Sequence, residues 1–349
     1  MDRKRVVIFA GAGASKAVSE DYPTTIEFFQ KLPDSIKRNK FFVAAEQHIK
    51  SQGNEGALDI EMILWELQKI STLGQTVGGE GFIGWLLSAQ RLPKLMEQKV
   101  DAAAVVNLIK KARKDVEELI DRINEYVYHF YGSSPDGEKL EKNWNALFRF
   151  LDKTGSKVDI FTTNYDLIIE HSLQCVGVAS VGWEGEVVRK LNMDLWEDGS
   201  KRSTEKGLLT KLHGSINWSR GPGDRGQIFV GGPDFKGKHS NHVIIYPGFK
   251  GRPGDSPFDT FHAHLERCVA RADVVLFVGF AFRDEYINEV FERSIRKDCG
   301  VCSINPSGVK VPFSTNRNSN ISEPFGESSV GAATDFIGRC IDFDVVDLL

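Results

Sequence analysis

The 349 residues contain no Gly-x-x-x-x-Gly-Lys-Ser/Thr, which excludes the phosphate loop of nucleoside triphosphatases. No apolar run approaches the ~18 residues that read as membrane-spanning. Charge of neither sign dominates: the formal net charge is -4, so no basic field recruits nucleic acid or anionic lipid, and direct binding to either is not expected. Cysteine is scarce and odd in number, five in all, which excludes a disulfide framework. Cys299-Gly300-Val301-Cys302 is a lone C-x-x-C in a strand-like stretch, where positions three apart point to opposite faces. A four-cysteine zinc ribbon needs a second pair, and there is none. No metal is expected, and the setting reads as reduced, intracellular and cytoplasmic.

Hydrophobic residues make up 41% and charged residues 26%, ordinary for a globular chain with ample length for a core. The organising stretch is Val6-Val7-Ile8-Phe9-Ala10-Gly11-Ala12-Gly13-Ala14-Ser15. An apolar run ending in glycine reads as a strand buried on both faces, of the kind inside parallel sheets. Gly11 and Gly13 permit a tight turn and close approach of a ligand to the main chain, and a helix starting near Ser15 would direct its N–H groups there. Lys16 occupies the place of the third glycine in Gly-x-Gly-x-x-Gly, so the motif departs from the dinucleotide fingerprint. The opening basic residues and apolar run imitate a secretory signal, but the run is short and broken by glycine.

Tyr22-Pro23-Thr24-Thr25 reads as a turn capping a helix from Ile26 to Leu32. From Phe41 to about Tyr131 the patterns are helical: Leu58 to Leu73 carries an apolar stripe, Gly74 to Gly84 reads as a loop, and Val100 to Tyr131 is the clearest helix. Strand patterns return at Val158–Thr163, Leu208–Leu212, Gln227–Val230, His242–Tyr246, Asp273–Val278 and Val301–Ile304. Helices are predicted over Leu167–Cys175, Pro257–Arg271 and Glu285–Arg296, a long polar loop over Ser307–Gly331, and a closing helix or strand from Thr334. The expected architecture is α/β: a doubly wound, mostly parallel Rossmann-like sheet with an inserted α-helical lobe. Residues 1–40 form its first part, 41–150 the helical insertion and 151–349 the remainder.

Ligands of such sheets bind at the carboxyl ends of the strands. Those ends carry Gly11-Ala12-Gly13-Ala14-Ser15, Asn164-Tyr165-Asp166, His213-Gly214-Ser215, Gly279-Phe280 and Asn305. Together they offer backbone-exposing turns, an amide, a carboxylate and a histidine that titrates near neutrality, the set that chemistry on a ribosyl cofactor requires. Among eight histidines, His213 alone follows a strand and precedes a glycine. Asn164 and Asp166 are also both suited to capping the helix that follows, though one suffices.

In this order and spacing, Gly11–Ser15, Thr162-Thr163-Asn164-Tyr165-Asp166, Leu212–Ser215, Gly279-Phe280 and Ile304-Asn305-Pro306 resemble the sirtuin-like family, and more narrowly its zinc-ribbon-lacking bacterial antiviral-defence branch. The resemblance implies an NAD-binding fold in which the glycine-rich turn, Gly11 to Ser15, holds the pyrophosphate. Asn164 and Asp166 would face the nicotinamide ribose, His213 would be the catalytic base, and Thr24, Thr163, Gly279, Phe280 and Asn305 would complete the cofactor-binding set. Sirtuin deacylases carry a zinc ribbon between the histidine and the later glycine; here that interval holds only Cys268. The resemblance therefore implies hydrolysis of NAD to nicotinamide and ADP-ribose, with deacylation or ADP-ribosyl transfer, and non-catalytic sensing of NAD or ADP-ribose, as the alternatives. It also implies a homo-oligomer, or a HerA-type ATPase or Argonaute-like partner.

Overall fold

Val6 to Ala10 are all buried, because the strand they form, β1 (Arg5–Ala10), has a parallel neighbour on each side. The computed structural model describes residues 3–53, 58–78, 102–186, 188–197, 206–221, 224–231, 242–245 and 256–346. In it β2 (Lys157–Thr162), β3 (Ala179–Ser180), β6 (Gly207–Lys211), β10 (Val274–Val278), β11 (Gly300–Ile304) and β12 (Arg317–Ile321) join β1 in one sheet, ordered β12-β11-β10-β1-β2-β6-β3. Every pairing in it is parallel. From β1 the chain winds outward through β2 and β6, then returns to lay β10 on the other side of β1. The winding reverses between β1 and β10, where open parallel sheets leave a crevice. The fold is α/β, with a doubly wound parallel sheet.

Register sets the site. Ala10 pairs with Thr162 and Val278, Thr162 with Lys211, and Val278 with Ile304. Five strands thus end level, and the loops that follow them emerge side by side. Alternate β-residues face opposite ways, so Val7, Phe9, Phe161, Val275, Phe277 and Val301 share one core with Phe258, Phe261, Leu265, Ile287 and Phe291 from the helices Phe258–Val269 and Glu285–Ser294. Phe280 continues this core beyond the strand, edge-on to Phe9 at 4.6 Å and stacked on Phe277 at 6.1 Å. The Glu327–Val346 helix packs on β10, β11 and β12.

A second, antiparallel sheet follows the parallel one: β4 (Trp183–Glu184), β5 (Arg189–Leu191), β8 (Asp224–Val230), β7 (Gly214–Gly221) and β9 (His242–Ile244), in that spatial order. The sequence reading stops a strand at Leu212 and does not see β7 begin at Gly214, so this sheet is a correction to it. Two others concern loops. The helix Ile60–Gly78 continues through Gly74, where a loop is predicted, while 79–84 lie outside the described residues. The polar stretch 307–331 contains β12 and the start of a helix, because pairing with β11 makes an edge strand of residues with weak β-propensity.

The chain divides into two compact units, one of Met1–Thr24 with Tyr128–Leu349 and one of Thr25–Val127. The second unit is helical where described, and its Lys40–Asp115 and Ser71–Glu117 contacts tie elements distant in sequence. Most of the 30-residue helix Ala102–Tyr131 belongs to it. No helix among the described residues is long and apolar enough to cross a membrane. No disulfide joins the five cysteines, all of which lie among the described residues.

Candidate functional site

The turn after β1 folds back over the switch point. Gly11 is extended and the helix Ala12–Lys16 starts directly behind it, three residues earlier than Ser15. Gly11 N donates to Val278 O at 2.9 Å, and Gly13 N to Gly279 O at 3.0 Å. Gly279 has φ +59°, and a Cβ there would lie 2.1 Å from Ala14 N. Two glycine turns therefore meet backbone to backbone, a contact that tolerates no side chain at Gly279.

The loop after β2 is bound to the same turn. Asn164 Nδ2 donates to Gly11 O at 2.8 Å and to Ser15 Oγ at 2.7 Å, and Ser15 Oγ donates to Asp166 Oδ2 at 2.6 Å. Asp166 Oδ1 accepts from Ile168 N at 3.0 Å, a local turn that leads into the helix Ile168–Cys175, whose N-cap position is Leu167. With its amide nitrogen spent on the first loop, Asn164 has its carbonyl Oδ1 to turn toward a ligand. Thr163 N donates to Ala10 O at 3.4 Å, and Thr162 Oγ1 receives Asn164 N at 3.0 Å.

The loop after β6 is joined to the loop after β2 by a buried cation. Lys211, 2% exposed, donates from Nζ to Glu170 Oε1 at 2.9 Å, Ser215 Oγ at 2.8 Å, Tyr165 O at 3.3 Å and, at shorter range, Asp166 O. Burial raises the Glu170 carboxyl pKa against the lowering pull of Lys211. Ile216 N reaches Tyr165 O at 3.0 Å, and His213 O accepts from Ile245 N at 3.0 Å. Gly214 has φ +87° and would place a Cβ 1.9 Å from Val243 O, so the turn after the histidine requires glycine.

His213 is 3% exposed. Burial pushes its pKa down to about 3, which keeps the ring neutral at physiological pH. Its Nε2 lies 3.9 Å from Asp284 Oδ2, and its buried Nδ1 has no hydrogen-bond partner. Asp284 follows the Gly279-Phe280 turn and caps the helix Glu285–Ser294 through Ile287 N at 3.0 Å. Asn305 Nδ2 donates to Phe280 O at 2.7 Å, tying the β11 end to the β10 loop. Phe280 itself points into the aromatic core.

These contacts close a circuit from the β1 loop through Asn164 and Asp166 to Lys211 and Ser215, then from His213 to Asp284, and through Gly279 back to Gly13. Asn305 is attached to its rim. Thr24 is half-buried immediately ahead of the helix Thr25–Lys31. Sequence reasoning missed Lys211, Glu170 and Asp284. Lys211 had a readable signal, a charge inside the apolar run Leu208–Leu212. Asp284 reads from sequence only as a cap.

Among the described residues, Asp159, His264 and Cys268 bring ligand-type atoms within 4.8 Å of one another. Cys268 Sγ is 3.6 Å from both ring nitrogens of His264, so it lies over the ring and off both lone pairs. An ion ~2.0–2.3 Å from both sulfur and nitrogen does not fit that arrangement. Asp159 instead accepts from Leu208 N at 3.0 Å and lies 3.8 Å from His264 Nε2, tying β2, β6 and the Phe258–Val269 helix together.

Residues 158–304 match the family model of the SIR2-like domain. That interval is similar to the SIR2-like domain. The matched interval holds the loops carrying Asn164, Asp166, His213 and Gly279, and it ends one residue before Asn305. No curated protein matches. Solved structures similar to this chain include a mutant Sir2 homologue with 2'-O-acetyl ADP-ribose, at 13% identity and TM-score 0.40, covering 97% of this chain and 93% of that one. Another is a Sir2 homologue–NAD complex, at 13% identity and TM-score 0.39, covering 97% and 91%.

Proposed function

We propose that this protein is an NAD+ hydrolase, releasing nicotinamide and ADP-ribose. The observation that carries the reading is the set of loops itself: an amide and a carboxylate that follow β2 are hydrogen-bonded to the glycine turn after β1 at the sheet's switch point, and a neutral histidine follows the neighbouring strand β6. In the reaction the bond from the nicotinamide nitrogen to ribose C1′ breaks, its electrons leave with neutral nicotinamide, and water adds to C1′. The oxocarbenium-like transition state is cationic and needs an oriented nucleophile beside it.

Each residue has a part suited to that chemistry. The Gly11–Ser15 turn brings bare backbone to the crevice, where the diphosphate of the substrate would lie. Asn164 presents Oδ1 as an acceptor that orients the ribose hydroxyls or the attacking water. His213, held neutral by burial, is in the form required to accept the proton of that water. Asp166 keeps Ser15 and the start of its own helix in place.

Hydrolysis is favoured over deacylation because the interval from His213 to Gly279 holds a single cysteine and so carries no four-cysteine zinc module. An uncontrolled NAD hydrolase would kill its host, so we place the protein as an effector of bacterial antiphage defence by NAD+ depletion, gated by self-assembly or by a HerA-type or Argonaute-like partner. The test is incubation of purified protein with NAD over a range of protein concentrations, with chromatography of free nicotinamide and ADP-ribose. Acyl-peptide products, or binding of NAD without nicotinamide release at any concentration or with partner present, would replace this reading with deacylation or sensing.

A further inference from the structure

A buried histidine that must take up a proton needs a counter-charge and one fixed tautomer. We infer that Asp284 is the positioning residue of His213: its carboxylate holds the Nε2–H tautomer, leaving the lone pair on Nδ1 to receive the proton. The inference rests on the hydrolase reading for its chemistry, but on geometry for the pair.

Three observations carry it. His213 Nε2 faces Asp284 Oδ2 at 3.9 Å, close enough for a carboxylate to bias the ring though longer than a hydrogen bond, and the enclosed Nδ1 meets no hydrogen-bond partner, so the two nitrogens stand in different environments. Which nitrogen of an imidazole bears the hydrogen is set by the bond the other can make, and a carboxylate is the strongest such acceptor. Asp284 is also held in place. It accepts from Ile287 N at 3.0 Å, and the chain ahead of it is pinned at Phe282, whose left-handed φ of +54° is rare for a bulky residue. Asn288 Nδ2 holds the Phe282 carbonyl at 2.7 Å. The loop adopts a strained turn and delivers the carboxylate beside the ring.

The proton balance is simple. Water adding to C1′ loses one proton to His213 Nδ1; the ring becomes imidazolium with Nε2–H directed at the Asp284 carboxylate; the proton then leaves to solvent as ADP-ribose departs. Burial disfavours that cation, and the counter-charge beside it is the Asp284 carboxylate, 3.9 Å from Nε2. Burial also raises the Asp284 carboxyl pKa, although two backbone N–H groups oppose the shift.

The test is Asp284→Asn in the full chain, since Asn caps a helix as well as Asp and should preserve the fold. Asp284→Ser, another good cap, serves if the Asn protein does not fold. Nitrogen-15 NMR of histidine-labelled protein at neutral pH, with the His213 signals assigned by their loss in His213→Gln, should show the Nε2–H tautomer in wild type and its loss in the variant. Turnover of NAD should fall on the order of 100-fold or more in kcat, with KM within about threefold. An Nδ1–H tautomer in wild type, an unchanged tautomer in the variant, or unchanged kcat in a wild type that cleaves NAD overturns the inference. The expected tautomer change in a protein that cleaves no NAD sustains the pair and counts against the hydrolase reading alone.

Discussion

Asn164 and Ser15 are joined side chain to side chain at 2.7 Å although 149 positions separate them. The bond exists because β1 and β2 are parallel neighbours that end level at Ala10 and Thr162, so their loops leave the sheet together. It aligns the Asn164 amide with the glycine turn and fixes which end of that amide is available. Asn164→Ala should therefore abolish nicotinamide release, by a factor on the order of 100 or more. Stability should fall by only about 1–2 kcal/mol, because Ser15 keeps its bond to Asp166. Turnover and a urea titration on the same preparation check this; near-wild-type turnover removes Asn164 from the chemistry.

A methyl group at Gly279 is expected to part the two glycine turns. Its φ of +59° disfavours any side chain, at about 1–3 kcal/mol for the conformation alone, and its Cβ would lie 2.1 Å from the Ala14 backbone nitrogen. The β1 and β10 loops must separate to admit it. Gly279→Ala should lower the melting temperature by several degrees and weaken NAD affinity in calorimetry more than tenfold. A folded variant with unaltered affinity would mean that the two turns need not touch to hold ligand.

Much of this was legible in the sequence because strand ends in a parallel sheet carry their chemistry locally. The apolar run Val6–Ala10 declares a doubly flanked strand, and Asn164, His213, Gly279 and Asn305 stand out because each follows such a run. What stayed hidden is tertiary. Arg317-Asn318-Ser319-Asn320-Ile321 has the composition of a loop and is a strand only because β11 offers it an edge. Glu170 and Lys211 lie 41 positions apart, and no local pattern announces that one neutralises the other. Asp284 reads as an ordinary helix cap, and its nearness to His213 depends on how the β10 loop turns at Phe282.

Lys211 separates folding from function. Replacing it with Met leaves the Glu170 carboxylate buried and alone, a change that typically costs about 3–5 kcal/mol. Lys211→Met combined with Glu170→Met removes both charges and should recover most of that loss. Turnover should remain low in the double variant, since Tyr165 O, Asp166 O and Ser215 Oγ have lost the donor that gathers them. Denaturation midpoints and NAD turnover for both single variants and the double decide the matter. Recovery of turnover along with stability would reduce Lys211 to a packing role.

The burial of His213 makes a sign-definite prediction for acid. Its folded pKa of about 3 lies below the 6.5 of a free imidazole. Between those values the unfolded chain binds a proton that the folded chain refuses, so stability rises with pH across the window and is lost as pH falls from 6.5 toward 3. At about 1.4 kcal/mol per pH unit, wild type should lose about 2 kcal/mol between pH 7 and pH 5 that His213→Gln does not lose. The raised carboxyl pKa of Asp284 acts in the opposite direction, favouring the fold at low pH, but it is common to both proteins and largely cancels in the difference. Urea titrations at the two pH values give the comparison directly. Equal acid sensitivity of the two proteins would mean that the ring takes its proton without unfolding cost, and that it is held neutral neither by burial nor by the loops around it.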